Sequence, residues 1–102
     1  MGIVHVLAFI TTQPGKRAEV LQLFNANVPA VHAEDGCIEY QATVDTPDAG
    51  AVQTPVGEDT FVVVEKWQTL AHLQAHLAAP HMAAYGASVK HLMADRTIRV
   101  LS

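Results

Sequence analysis

The stretch VVVEKWQTLAHLQAHLAAPHMAAY, residues 62 to 85, places His72, His76 and His81 beside Glu65, Trp67, Met82 and Tyr85. Histidines this dense suggest a metal site, a catalytic base, or polar residues on packing helices. His72 and His76 are four apart and so share a helical face, a spacing that can offer two imidazoles to one metal. A zinc-protease helix, however, has a Glu beside its first His as general base, and here that place holds Leu73. Pro80 also breaks the helix before His81, so no spacing aims His81 or Asp95 at the pair. No metal is expected. The pattern leaves His76, at the border of a Leu70, Leu73, Leu77 stripe, and His81, at a fresh helix start, as imidazoles able to move a proton at a pocket edge. His72 reads as solvated.

The neighbouring residues are open to two readings. Tyr85 continues an apolar stripe with Met82, Val89 and Leu92, which suits core packing as well as a pocket wall. Glu65 and Trp67 share strand parity, so they project from the same face of the sheet. Serine-histidine-aspartate order, a phosphate-cradling glycine loop and a dinucleotide fingerprint are all missing from the sequence. No cofactor is implied by a motif.

The elements that must position these residues can be read from periodicity. IVHVLAFIT, residues 3 to 11, is β-branched and apolar on both alternating faces, as in a strand covered on both sides. From Arg17, Val20, Leu21, Phe24, Val28 and Val31 recur at helical steps, and Pro29 predicts a kink or an early stop. After EDG, Ile38, Tyr40 and Ala42 alternate on one face of a second strand. TPDAGAVQTPVGED is loop, and TFVVVEKW is a third strand. Thr69 is a candidate N-cap for a helix to about Ala79, Pro80 opens a helix to about Met93, and RTIRVL is a fourth strand.

The resulting order β, α, β, β, α, α, β predicts one α+β domain over residues 1–102, a ferredoxin-like split βαβ with an antiparallel sheet. If strands 1 and 3 are apolar on both faces, the face without helices needs a cover, and the sheet of a second copy is the simplest one. A homodimer is therefore expected.

Composition narrows the partners. With six Lys and Arg against ten Asp and Glu, net charge is −4, and no basic stripe exists for nucleic acid. No apolar run is long enough for a membrane span, the N-terminus lacks a signal-peptide pattern, and the lone Cys37 fits a reducing compartment. A cytoplasmic protein is expected.

The strings GCIEY…VD, VVVEKW, AHLQAHLAAPHMAAY and a terminal IRVL together resemble the antibiotic biosynthesis monooxygenase family, and within it the bacterial quinol monooxygenases. The resemblance runs from PGK before the first helix to the last strand. It implies a dimeric α+β barrel and chemistry without metal or flavin, in which O₂ oxidises a quinol or related polyphenol. It implies that Trp67, Met82 and Tyr85 wall an aromatic pocket, that His76, or else His81, takes the proton, and that Glu65 orients a histidine or fixes the strand end. Two branches depart from this chain. Ala8, His76 and Gly86 stand where the haem-degrading branch has an Asn on its first strand and a Trp and a His on its later helices, and Val63 replaces the Asn of the actinorhodin type. A relative that isomerises a phosphorylated autoinducer shares a Pro-His at its helix start. An isomerase of a small phosphorylated carbonyl compound, drawing on Lys66, Lys90, Arg96 or Arg99, therefore stays as an alternative, and so does a non-catalytic ligand-binding dimer.

Overall fold

In the computed structural model, which describes residues 2–102, the chain forms β1 (Val4–Thr12), α1 (Arg17–His32), β2 (Cys37–Thr43), β3 (Thr60–Trp67), α2 (Leu70–Leu77), α3 (Pro80–Val89), a 3₁₀ turn (Lys90–Leu92) and β4 (Met93–Leu101). The four strands make one open sheet in the order β2-β3-β1-β4, and every neighbouring pair is antiparallel. This is the ferredoxin-like α+β architecture that the element order predicts.

Strand pleating sorts the residues. On one face Val4, Val6, Ala8 and Ile10 of β1 meet Phe61, Val63, Glu65 and Trp67 of β3, and all eight are buried beneath the helices. Val20, Phe24 and Val31 of α1, Leu73 of α2 and Val89 of α3 complete that core. On the other face Leu7 opposes Val64 and Phe9 opposes Val62, and these four are only half-buried. Both faces of β1 and β3 are apolar, as expected, but only one of them is covered within the chain.

Helix α1 does not stop at Pro29. It continues to His32, and the amide of Ala33 closes the end by donating to the Pro29 carbonyl at 3.1 Å. A proline costs a helix one backbone donor, and here the loss falls in the last turn, where burial of Val31 outweighs it. Thr69 caps α2 as predicted, its hydroxyl accepting from the His72 amide at 3.2 Å. Pro80 is at the start of α3, which ends at Val89 rather than near Met93, because the 3₁₀ turn and the start of β4 take the remaining residues. β4 is longer than its predicted segment for the same reason.

Two side-chain placements differ from the periodic reading. A register shift between Cys37 and Glu39 lets Cys37 oppose Trp67 and turns Ile38 outward. In α2 only Leu73 and His76 are buried; Leu70 and Leu77 are exposed. The helix is two turns long and touches the core through a single i, i+3 pair, so its polar member takes the inner place. Among the described residues no helix is long and apolar enough to cross a membrane.

Candidate active site

Beneath the helices lies a cavity of about 520 Å³, lined on the sheet side by Ala8, Ile10, Tyr40, Phe61, Val63 and Glu65 and on the helix side by Phe24, His76, Met82 and Tyr85. The walls are aromatic. Phe24 stacks on Tyr40 with ring centroids 5.1 Å apart and meets Phe61 and Tyr85 edge-on at 5.8 and 6.0 Å. Leu77 of α2, Lys90 of the 3₁₀ turn and Asp95 and Arg96 of β4 also line the cavity, and their exposure marks its open end.

His76 is 2% exposed and is gripped on three sides. The Trp67 ring lies over it at 4.6 Å, and Tyr40 meets it edge-on at 5.3 Å. Its Nδ1 donates to Glu34 Oε2 at 2.8 Å. With Nδ1 turned toward Glu34, Nε2 is the nitrogen left for the cavity. This is the arrangement a general base requires: one ring nitrogen fixed by a carboxylate, the other facing the reactant.

Sequence reading missed Glu34, the carboxylate that holds His76. It follows the α1 cap, and its amide bonds the Val31 carbonyl at 2.9 Å. Gly36, at φ +80°, turns the chain there, and a Cβ at this position would overlap the His72 ring. The Gln68 amide donates to the Gly36 carbonyl at 2.9 Å, which ties the turn to the start of α2. His72 thus has a packing job and is not simply solvated: its Nδ1 lies 2.8 Å from the Thr69 hydroxyl and its Nε2 3.5 Å from Asp35. His72 and His76 engage different carboxylates and do not converge.

Glu65 and Trp67 meet as their shared parity predicts, Trp67 Nε1 donating to Glu65 Oε1 at 3.0 Å in a buried bond. Burial pushes the Glu65 carboxyl above its ordinary value and the Glu34 charge adds to this, while the Trp67 bond and His76 act against it. Trp67 itself is fully buried and does not line the cavity, contrary to its expected place as a wall. The His76 ring lies against it, so it sits one layer behind the cavity and holds Glu65 and His76 in place. Met82 and Tyr85 do line the cavity, joined by Phe24 and Tyr40, which sequence reading had left as core. Burial pushes the Tyr85 phenol up to about 12 and Tyr40 higher still, so both stay protonated near neutral pH. His81 stands apart. It lines a second cleft rather than the cavity, and its Nε2 is 3.0 Å from the same Glu34 oxygen that holds His76.

Residues 3–88 match the family model described as antibiotic biosynthesis monooxygenase. The chain belongs to the antibiotic biosynthesis monooxygenase family. It is 42% identical over 101 residues to the Escherichia coli (strain K12) protein named probable quinol monooxygenase YgiN, covering 97% of this chain and 96% of that one. Among solved structures, Rv0793 of Mycobacterium tuberculosis superposes with a TM-score of 0.78 at 25% identity, covering 99% of this chain and 94% of that one. PA3566 of Pseudomonas aeruginosa superposes at 0.80 with 24% identity, covering 99% and 93%, a likeness of fold. Family membership makes this a monooxygenase-type domain, and the cavity with its buried histidine is where such chemistry has room.

Proposed function

We propose that the protein is a cofactor-independent monooxygenase that oxidises a quinol or related polyphenol with O₂, using His76 as the base. The reading rests on one observation above the rest: a fully buried imidazole, backed by a carboxylate, in the wall of an aromatic cavity. A flat electron-rich ring fits walls made of Phe24, Tyr40, Met82 and Tyr85. His76 Nε2 takes a phenolic proton, and the largely apolar walls leave the resulting anion poorly solvated and strongly reducing. The anion passes one electron to O₂, and the two radicals join at a ring carbon. Cleavage of the O–O bond leaves one oxygen on the ring and releases the other as water, which takes up both phenolic protons. The ring gives up four electrons in all, so no external reductant is needed. Glu65, raised by burial, hydrogen-bonds the substrate oxygen opposite His76.

Two copies close the half-buried face made by Leu7, Phe9, Val62 and Val64 into a homodimeric barrel, and the enzyme works in the cytoplasm on small aromatic molecules. The test is oxygen uptake by purified protein with a reduced naphthoquinone under ¹⁸O₂. One labelled atom should enter the product and one the water, and His76→Ala should lower the rate by about 10²-fold or more. Uptake equal to the buffer blank, or unchanged in the variant, would sink the reading.

A second reading draws on Lys90 and Arg96 at the open end of the cavity: isomerisation of a small phosphorylated carbonyl compound. Inorganic phosphate should then bind, and Lys90→Ala with Arg96→Ala should abolish that binding. Tight binding of aromatics with no turnover across a quinol panel would instead leave a ligand-binding dimer.

A further inference from the structure

Both ring nitrogens of His81 are buried, and among the described residues neither has a hydrogen-bond partner. Nε2 nevertheless lies 3.0 Å from Glu34 Oε2, out of line for a hydrogen bond. A small rotation of the ring would complete it, and the second cleft, about 310 Å³ and lined by Leu23, Asn27, Tyr85 and Ser88 beside His81, gives the ring room. One carboxylate oxygen thus faces two imidazoles, one in the cavity wall and one outside it. Buried ring nitrogens left without a partner are costly unless one is within reach.

We infer that His76, Glu34 and His81 form a proton wire in which His81 stores, outside the cavity, the proton that His76 removes from the substrate. The inference rests on the reading of His76 as the base. As Nε2 of His76 gains the phenolic proton, Nδ1 gives its own to Glu34, which hands it to His81 Nε2. One proton crosses, and each group keeps its bonds. The imidazole beside the substrate anion is then neutral. A cation left there would hold back the electron meant for O₂; moved behind Glu34, it cannot. On O–O cleavage His76 returns the Nε2 proton to the departing oxygen, and the wire refills Nδ1 from His81. Other titratable groups around the triad are Glu65 on β3, Cys37 and Tyr40 on β2, Tyr85 on α3, and the His72–Asp35 pair beside the turn. Glu34 Oε2 lies 2.8 Å from one imidazole and 3.0 Å from the other.

Nitrogen-15 histidine NMR of the free protein reads the wire without turnover. In the wild type the signals of His76 Nδ1 and His81 Nε2 should exchange with one another through Glu34, and in Glu34→Gln that exchange should stop. Absence of that exchange in the wild type overturns the inference whether or not the protein consumes oxygen. If it does, His81→Gln should lower kcat about tenfold with KM unchanged, and imidazole in solution should restore His81→Ala by entering the enlarged cleft. Full kcat in His81→Gln would also overturn it, while a dead wild type would instead remove the proposed reaction and leave the NMR result standing.

Discussion

Replacing Trp67 by Phe isolates the bond that holds Glu65, and its effect should depend on pH. The Trp67 Nε1–Glu65 Oε1 bond is 3.0 Å long, and both residues are buried. A hydrogen bond to an ionised carboxylate contributes roughly 1.5–3 kcal/mol and one to a neutral acid roughly 0.5–1.5. The void left by the smaller ring costs about a further 1 kcal/mol at any pH. Trp67→Phe should therefore destabilise at all pH values, but by about 1 kcal/mol more where Glu65 is ionised. The direction of the Glu65 shift sets the window. Its folded carboxyl is raised above 4.5, so folding favours the protonated form. Stability is fully present below that value and falls as pH rises through the higher folded one. For a domain of this size, 1 kcal/mol moves Tm by about 4–8 °C. Thermal melts should thus show the Tm gap between variant and wild type widening by about that much from acid to mildly alkaline pH, and Glu65→Gln should flatten both profiles. An equal gap at both ends would refute the account, since it would mean that the indole N–H does nothing for the charge on Glu65.

Two further perturbations probe the frame. Gly36→Ala combines a positive φ with overlap onto the His72 ring, so its urea midpoint should fall by the equivalent of about 2 kcal/mol or more, and His72→Ala in the same chain should recover the overlap but not the backbone part. Val64→Glu places a charge in the middle of the uncovered sheet face, and sedimentation should show it as a monomer while the wild type sediments as a dimer; a wild-type monomer would remove the proposed barrel.

Much of the frame was legible because it is written in short periods. Glu65 and Trp67 meet because strand parity puts them on one face, and Thr69 caps α2 because its hydroxyl falls just before the first helical residues. Depth was less legible. Trp67 was expected in the cavity wall, but parity says which face a ring leaves from and nothing about what is stacked above it. The exposure of Leu77 and the burial of His76 reverse their hydrophobic ranking, because a helix of two turns is placed by its ends rather than by a full stripe. Glu34 was least legible of all. Its partners are 42 and 47 residues away on two other helices, and its own surroundings, EDG, read as an ordinary polar turn. Gly36 was the available signal, since a glycine fixed at a helix-to-strand turn also fixes the acids just before it.

Trp67 is the chain's sole tryptophan. Its indole is sealed from solvent and lies 4.6 Å from the ring of His76. All intrinsic emission excited at the red edge of protein absorption therefore comes from one site, and an imidazolium quenches an indole at this range where a neutral imidazole does so far less. The protein carries its own optical gauge of the charge on His76: a stopped-flow trace that stays bright through a single turnover is what a relay to His81 requires, and a transient dip marks a cation held beside the substrate.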